Sequence, residues 1–351
     1  MNHLTSLMAK RNAEGKSSDM LYAFRAFAMD TITTFCFAKS VDAMDEPDFA
    51  APIIIAMDSS IPALPIFRHF PPIKNLVLSF PPWLALKASP EIAGLHRMQT
   101  LLSEKIKEVT ENPSNLKDAA YSTIFHTLLD PDAQKGHPMP NAKNLFEEGL
   151  TLLFAAGLTV GDTLMITHFH ILTHPSLYER LKTEVRNIWP NIDSRPAFES
   201  LEALPLLTGT LKEGLRFSHG VTSPLLRVVP ATGATIAGDS IPGGTLVGMS
   251  ACFVHNSSSV FENSDEFRPE RWLGDDAKGL DQFLVAFSKG PRSCLGINLA
   301  WCEMYIALAT MLRRFDMKID GTKAEDLIWR DCFTPYFGCG HLRVWCKPVE
   351  G

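Results

Sequence analysis

A single cysteine in a short, glycine-bracketed loop is the residue of this chain best placed for chemistry. Residues 287–296 read Phe-Ser-Lys-Gly-Pro-Arg-Ser-Cys-Leu-Gly, and a long apolar run follows. Metals bind the thiolate form of cysteine, which is favoured by backbone N–H groups at the start of a helix. Gly290 can adopt backbone angles closed to other residues and Gly296 has no Cβ, so a flat cofactor could approach the backbone closely. Arg292 supplies a fixed positive charge suited to a carboxylate. The loop therefore predicts that Cys294 is a thiolate ligand.

This loop resembles the cysteine-loop signature of the cytochrome P-450 family, Phe-x-x-Gly-x-Arg-x-Cys-x-Gly. The matching residues are Phe287, Gly290, Arg292, Cys294 and Gly296. Five specified positions coincide by chance in a chain of this size only about once in ten thousand. The resemblance implies that Cys294 is the axial thiolate of a haem iron and that the other four residues help to bind the haem. The alternative is that Cys294 is one more buried free cysteine.

A second motif lies upstream of the cysteine loop. Glu213 and Arg216 are three residues apart in a helix predicted over about 206–218, which places them on one face. Alone, such a pair is usually a solvated surface pair. Residues 267–272 read Phe-Arg-Pro-Glu-Arg-Trp. In the family, a buried ionic triad steadies the ligand loop, and it consists of a Glu-x-x-Arg pair and the second Arg of such a segment. The resemblance therefore implies a structural triad of Glu213, Arg216 and Arg271.

A long helix is predicted over about 144–173. Its middle is apolar nearly all round, which is typical of a helix in the core of a large protein. Glu147, Glu148, Asp162 and His168 argue against a membrane span, which needs about 20 uninterrupted apolar residues. His168 and His170 lack the spacing of a metal-binding pair and are expected to be core or pocket histidines.

Within this helix, Ala155-Ala-Gly-Leu-Thr159 resembles the oxygen-binding stretch of the family, Ala-Gly-x-(Asp/Glu)-Thr. Thr159 matches the family threonine, which implies a catalytic role in proton delivery, but Leu158 stands at the position of the acid. Proton delivery by a positioned group contributes about 10²–10⁴ in rate, so this departure leaves efficient oxygen activation open. Asp162 lies about 6 Å further along the helix axis and is not expected to replace the acid. The alternative for Thr159 is a helix threonine bonded to its own backbone.

Composition excludes several classes of protein. With 351 residues, 46% of them hydrophobic, the chain can bury a substantial core. A formal net charge of −6 gives no electrostatic footprint for nucleic acid. Seven scattered cysteines do not form a secreted disulfide framework, which indicates a reducing compartment. Cys332 and Cys339 lack the second cysteine pair of a zinc site.

The amino terminus departs from the family. Residues 1–19 are polar without an apolar core, so they predict neither a signal peptide nor a membrane anchor. Fungal members of the family begin with an anchor, followed by a β-rich lobe and a helix whose Trp and Arg hold a haem propionate, and no counterpart is evident. We therefore expect an amino-terminally truncated fold, with Arg227 and Arg292 as the matching propionate partners. The alternative for Arg227 is an ordinary charge at a strand edge.

The remaining pattern predicts a mainly α fold with small β-sheets. Helices are expected at 18–37, 48–60, 92–110, 121–129 and 177–188, and strands over 235–247 and 315–346. Proline pairs at 71–72 and 81–82 break the apolar stretch 67–86, so it cannot form one continuous helix. In the family this region covers the substrate pocket and contacts the membrane surface. The alternative is a connector that packs in the core.

Taken as a whole, residues 1–351 are expected to form a single cytochrome P-450-like domain similar to fungal secondary-metabolism members of the trichodiene-oxygenase type. The resemblance implies a haem-dependent monooxygenase that inserts one atom of O2 into a lipophilic small molecule such as a terpenoid. It implies an NADPH-dependent flavoprotein reductase as partner, with Lys289, Arg313 and Arg314 either in its basic docking face or as ordinary solvated charge. Family members sit on the endoplasmic reticulum membrane, whereas a chain without an anchor is expected to be cytoplasmic or peripheral. The alternatives are a haem-binding pseudoenzyme and an inactive fragment.

Overall fold

Helices form most of the chain in the computed structural model, which describes residues 1–81, 83–84, 87, 90–111, 121–136, 138–338 and 340–349. The helices, in chain order, are α1 (Asn2–Ala13), α2 (Met20–Phe37), α3 (Pro52–Ser60), α4 (Leu64–His69), α5 (Pro71–Leu78), α6 (Pro90–Glu111), α7 (Ile124–Leu129), α8 (Ala142–Thr173), α9 (Pro175–Ile188), α10 (Phe198–Glu202), α11 (Pro205–Ser218), α12 (Ala251–His255) and α13 (Ile297–Arg314). The mainly α prediction is confirmed.

The strands form small antiparallel sheets. They are β1 (Ser18–Asp19), β2 (Arg227–Val228), β3 (Ala234–Ile236), β4 (Asp239–Ile241), β5 (Leu246–Val247), β6 (Phe315–Ile319), β7 (Arg330–Cys332), β8 (Thr334–Tyr336) and β9 (Arg343–Pro348). Among the described residues, β9 lies between β1 and β6, and the other pairs are β2 with β5, β3 with β4, and β7 with β8. The first sheet joins the two ends of the chain, with Ser18 opposite Val344.

Helix α8 runs through the core and packs against α2, α6, α11 and α13. It begins with a capping box, in which Asn141 and Asn144 each accept a hydrogen bond from the backbone N–H of the other. It ends at Thr173, two residues before Pro175, which cannot continue the hydrogen-bonding pattern. A Cβ atom on Gly161 would lie only 2.5 Å from Cγ of Arg25, so glycine at this position lets α2 and α8 approach closely. The core of the molecule is therefore built around the α2–α8 contact.

Two helices lead to the cysteine loop. Helix α11 begins at Pro205, a residue favoured at the first helical position, and ends at Ser218, after which His219 has a left-handed φ of +61°. Helix α13 begins directly after Gly296 and carries its apolar face into the core before β6. The hydroxyls of Thr163 on α8 and Ser218 on α11 are 2.8 Å apart. The elements that surround the loop are thus tied to the central helix.

Several predicted helix starts differ from the structure by two residues or more, among them the one at Tyr121, where the helix begins at Ile124 after its capping residue Thr123. The helix predicted from Ser18 begins at Met20, because Ser18 and Asp19 pair with β9 instead. The helix predicted from Asp48 begins at Pro52, since Asp48 has a left-handed φ of +56°. The sequence patterns also assigned no helix to residues 2–13, where α1 lies. At Ser18 a long-range strand pairing, and at Asp48 a single backbone angle, overrides the local pattern.

The proline-rich segment is divided as predicted. Helices α4 and α5 are separated at Phe70, so the apolar stretch is not one helix. Residues 82, 85 and 86 of that stretch, and Cys339, lie outside the described residues. Two described helical stretches, Pro47–His69 and Ala142–Thr173, have the length and hydropathy of a membrane span. Windows of these stretches are 50% and 61% buried, and a core helix passes the same test.

Candidate functional site

Cys294 lies at the exposed end of a tight loop that precedes α13. Its backbone N–H donates to the carbonyl of Phe287 at 2.8 Å, which closes the loop. Within the loop, Ser288 has a φ of +57° and Gly290 a φ of +75°. The left-handed angle is costly for serine and easy for glycine, so the surrounding structure must hold this turn in place. The sequence thus folds locally into a turn that presents the cysteine side chain outward.

The surroundings of the cysteine are open. Leu295 is 93% exposed. A Cβ atom built on Gly290 or Gly296 would meet no heavy atom within 4 Å. The Cys294 side chain is therefore not enclosed by protein atoms. Enclosure would have excluded it as a ligand to a flat metal cofactor.

Two exposed arginines, Arg292 in the cysteine loop and Arg227 in β2, carry positive charges that no described carboxylate neutralises. Arg292 is exposed in the turn 290–292 and has no hydrogen bond or ion pair to any described residue. Arg227 is exposed in β2, and its Nη1 donates to the carbonyl of Leu226 at 2.9 Å. Neither guanidinium is paired with a carboxylate of the described residues. Both can therefore bind an anionic group of a ligand.

The structure brings together Glu213, Arg216 and Arg271. The Glu213 carboxylate is fully buried and accepts hydrogen bonds from Arg216 Nε and Nη2 at 3.0 and 2.8 Å, and from Arg271 Nε at 3.0 Å. It also accepts from the backbone N–H of Arg268 at 3.0 Å and from Trp272 Nε1 at 2.8 Å. Five donors thus satisfy one buried carboxylate, which offsets the cost of removing it from water.

The remaining N–H groups of the triad donate to backbone carbonyls. Arg216 Nη1 donates to His255 at 2.8 Å and to Ser264 at 2.6 Å. Arg271 Nη1 donates to Glu262 at 2.8 Å, and Nη2 of both arginines donates to Glu266 at 3.1 Å. The triad therefore holds the chain segment from 255 to 266 as well as its own helix.

Three residues of α8 that bear on the predicted oxygen chemistry have different surroundings. Thr159 is half-exposed, and its hydroxyl donates to the carbonyl of Ala155 at 2.8 Å. Leu158 is buried in the core, at 2% exposure. Asp162 is buried against α2, where it accepts from Arg25 Nε at 3.0 Å and Nη2 at 2.8 Å. Asp162 is thus engaged in a contact between helices, in keeping with the expectation that it does not replace the missing acid.

Comparison with known proteins identifies the family. The family model described as Cytochrome P-450 matches residues 1–331. The chain belongs to the cytochrome P-450 family. A crystal structure of the cytochrome P-450DA heme domain resembles the whole chain with a TM-score of 0.76 at 19% sequence identity, and the chain covers 73% of it. That likeness shows that the chain has the P-450 fold.

Several curated relatives in this family come from fungi. Cytochrome P-450 monooxygenase flvC of Aspergillus flavus is 37% identical over 357 residues, covering 100% of this chain and 65% of the relative. Cytochrome P-450 monooxygenase macH of Penicillium terrestre is 36% identical, covering 93% of this chain and 64% of the relative. N-acetyltryptophan 6-hydroxylase ivoC of Emericella nidulans is 33% identical, covering 90% of this chain and 63% of the relative. The chain thus spans slightly less than two thirds of the length of these P-450 relatives.

The P-450 family implies a haem cofactor, and the residues of this P-450 fit one. Cys294 offers an exposed sulfur atom at a turn that has open space on its glycine side. The unpaired cations of Arg292 and Arg227 match the two carboxylates that a haem carries. A thiolate sulfur and separate cationic groups are the donor set that a thiolate-ligated haem requires.

Sequence reasoning missed two groups of buried polar residues in this P-450. Arg25 on α2 binds Asp162 on α8 and donates from Nη1 to Asp58 on α3 at 2.8 Å. His219 and His255 form a buried pair between α11 and α12. No local spacing marks either group, since Arg25 and Asp162 are 137 positions apart. A buried charge in an apolar helix, as at Asp162, was the one available signal that a partner exists.

A further buried acid lies on the helix that follows the cysteine. The Glu303 side chain on α13 is buried, and burial raises the pKa of its carboxyl to about 8, although the Thr31 hydroxyl acts in the opposite direction. That hydroxyl donates to the carbonyl of Phe27 at 2.8 Å, and none of the described residues donates a hydrogen bond to the Glu303 carboxyl. Glu303 is therefore protonated and uncharged near neutral pH.

Arg313 does not belong to a basic docking face. It is buried, and its Nε and Nη2 donate to the carbonyls of Trp189 and Pro190, each at 2.7 Å. Arg314 donates to the carbonyl of Ile192 at 3.0 Å. Lys289 alone of the three predicted cations is exposed in the cysteine loop. The two arginines connect α13 to the chain that follows α9, and the prediction of a basic face is wrong for Arg313.

Proposed function

We propose that this chain is a haem-thiolate monooxygenase in which Cys294 is the axial ligand. The observation that carries the proposal is the exposed cysteine at a turn closed by the Cys294 N–H to Phe287 bond, directly before a helix. Relatives named as cytochrome P-450 monooxygenases, at 36–37% identity, support the activity. The described residues form one continuous core, which supports a single domain over 1–351.

The residues of the loop have separate roles in this proposal. When bound, a thiolate-ligated haem supplies the reductive splitting of O2 and the insertion of one oxygen atom into a C–H bond. Cys294 donates electron density to the iron, and Arg292 and Arg227 hold the propionates. Gly290 and Gly296 keep the backbone free of side chains where the flat ring approaches. Phe287, whose ring lies 5.9 Å from that of Trp301, supports the loop from the α13 side.

Thr159 is proposed to hold the proton donor for oxygen activation. Its hydroxyl proton is committed to Ala155, so the oxygen is oriented to accept from a water molecule or a substrate hydroxyl. Leu158, which stands at the position of the acid in the family stretch, is buried in the core and has no ionisable group. A second candidate function follows from this observation, namely a haem-binding protein with inefficient oxygen activation.

The substrate and the partners are proposed at the level of their chemistry. The family supports a lipophilic small molecule from secondary metabolism, with an NADPH-dependent flavoprotein reductase as electron donor. Phe70, Leu76 and Trp83 are more than half exposed, which supports peripheral membrane contact through 67–86.

Spectroscopy of the reduced protein with carbon monoxide tests the ligand. We expect a thiolate-type band in the wild type, its loss in Cys294→Ser, and its retention in Cys302→Ser, because Cys302 is a half-buried cysteine on α13, outside the loop. A normal haem content without that band in the wild type would show that Cys294 is not the ligand.

Turnover separates the two candidate functions. With reductase, NADPH and O2 supplied, a monooxygenase consumes oxygen in proportion to oxidised product. A protein that shows the thiolate-type band but forms no product, or forms peroxide in place of product, is the haem-binding alternative.

A further inference from the structure

Two buried histidines lie between the ionic triad and the cysteine loop. His219 follows α11 and His255 ends α12, and their rings are stacked with centroids 5.6 Å apart. Their Nδ1 atoms are 3.4 Å apart. Burial, followed by the Arg216 cation, lowers the pKa of His219 to about 4. Burial, followed by His219 and Arg216, lowers the pKa of His255 to about 3, so both rings are neutral at pH 7.

The hydrogen bonds assign the tautomers of this pair. The backbone N–H of Val285 donates to His255 Nε2 at 3.0 Å, so Nε2 carries no proton. The neutral His255 ring therefore carries its proton on Nδ1 and donates it to Nδ1 of His219. His219 in turn carries its proton on Nε2. The His255 ring is thus fixed as the acceptor for Val285.

His255 is hydrogen-bonded through both its backbone and its ring. Its backbone carbonyl accepts from Arg216 Nη1 at 2.8 Å, which links it to the triad. Its ring accepts from Val285, two residues before Phe287, and the Phe287 carbonyl accepts the N–H of Cys294 at 2.8 Å. A continuous path of hydrogen bonds and short chain segments therefore joins Glu213 to the cysteine.

The segment that His255 holds includes the strained part of the loop. The carbonyl of Val285 accepts the N–H of Ser288 at 2.9 Å, and Ser288 has the left-handed φ of +57°. On the opposite side, a Cβ atom on Gly220 would lie 3.2 Å from the carbonyl oxygen of Ala286, so the end of α11 packs directly on this segment. A left-handed serine persists only where its neighbours hold it.

We infer that His255 is a positioning residue for the thiolate loop, which transmits the bracing of the Glu213 triad to Cys294 through the backbone of Val285. The inference rests on the proposed role of Cys294 as the ligand. It assigns a supporting role to His255, which acts through the backbone of the loop and not on the Cys294 sulfur. Without the ring acceptor, the Val285 N–H is left without a partner and the turn at Ser288 loses support.

The test compares two substitutions of His255. His255→Phe keeps an aromatic ring but removes the acceptor, whereas His255→Gln places an amide oxygen close to the position of Nε2. In the reduced protein with carbon monoxide, we expect the ratio of thiolate-ligated to non-thiolate haem to fall about tenfold in His255→Phe and to stay near wild type in His255→Gln. Amide hydrogen exchange of residues 285–288 in the haem-free protein should accelerate in parallel.

His168→Phe is the matched control. His168 is also fully buried and its Nδ1 bonds the carbonyl of Leu164 at 2.7 Å, but it lies on α8 and has no hydrogen bond to residues 285–296 in the part of the chain that the structure describes. At equal folded fraction, this variant should leave the haem ratio unchanged. If His255→Phe behaves as wild type in both measurements, or if His168→Phe lowers the ratio equally, the inference is overturned. If the wild type shows no thiolate band, the proposed function fails, while the exchange data still decide whether His255 holds residues 285–288.

Discussion

Two buried ionic networks brace this molecule, and their compositions are opposite. In the network of α11, one carboxylate, Glu213, lies between the guanidinium groups of Arg216 and Arg271. In the network of α2, one guanidinium, Arg25, lies between the carboxylates of Asp162 and Asp58. The first network carries one excess positive charge and the second one excess negative charge.

The two networks accommodate their excess charge by different means. Arginine has five N–H donors and keeps its charge, so the excess in the Glu213 network is met by backbone carbonyls, including that of His255. A carboxylate can instead give up its charge by taking a proton. Burial raises the pKa of Asp162 to about 6, although Arg25 acts in the opposite direction. The comparison therefore shows that the charge of the Arg25 network changes between pH 4 and 7, because Asp162 titrates in that range.

Removal of Glu213 should have the largest effect. Glu213→Ala leaves two buried cations without a counterion, and we expect the free energy of unfolding to fall by about 3–5 kcal/mol, with loss of haem retention. Chemical denaturation and haem content measure the two effects. The control is Glu148→Ala, an exposed carboxylate on α8. Normal expression with full haem content in Glu213→Ala would refute the bracing role.

Removal of Arg25 should come next and should depend on pH. Arg25→Met leaves two carboxylates facing each other, and we expect a loss of about 3 kcal/mol at pH 8. The loss should shrink at pH 5, because Asp162 then takes a proton. The penalty of Glu213→Ala should not shrink in the same interval, since arginine stays charged. Equal pH dependence of the two variants would remove the distinction between the networks.

Asp162→Asn isolates the titrating group. The folded-state pKa of about 6 lies above the ordinary value of 3.8, so the folded protein binds the extra proton in this window. The contribution of Asp162 to stability is therefore fully present below pH 3.8 and is lost as the pH rises through 6. The stability of wild type relative to Asp162→Asn should fall by up to about 1.4 kcal/mol per pH unit in that window. Thermal unfolding of both proteins across pH 4–7 measures the slope, and parallel curves would contradict it.

Thr159→Ala should have the smallest effect on stability. Among the described residues, the Thr159 hydroxyl bonds only to its own helix, so the free energy of unfolding should change by less than about 0.5 kcal/mol. If Thr159 positions the proton donor, the yield of product per NADPH should nevertheless fall, and the loss should reach at most about 10²-fold. Thr173→Ala is the matched control, because its hydroxyl also bonds the carbonyl four residues earlier. An unchanged yield would leave Thr159 as a structural helix residue.

The two networks also show what a sequence can predict. Glu213, Arg216 and Arg271 were predicted together because two segments of the sequence resemble family motifs that the resemblance links in one ionic triad. Arg25 and Asp162 belong to no such motif, and their pairing depends on how α2 crosses α8. Tertiary contacts between distant helices leave no periodic signal in a single sequence.

The same limit applies to the candidate site. Cys294, Gly290 and Gly296 were predicted from one short loop, since the turn and its chemistry are local. His255 was not predicted, because its role depends on a hydrogen bond to Val285, 30 residues away, and on the tautomer that this bond selects. The helix start at Met20 was displaced for a related reason, namely pairing with β9 at the far end of the chain.

The glycines of α8 have one more consequence. Gly157 and Gly161, one helical turn apart, both face α2, where added Cβ atoms would each come within 2.5 Å of a side-chain carbon. The side chains of Met29 and Arg25 therefore occupy the two notches that these glycines leave in α8. Each filled notch limits how far one helix can slide along the other, and the ion pair of Arg25 with Asp162 fixes the same axial position a second time. The register of α2 and α8 is thus set twice within one helical turn, once by shape and once by charge.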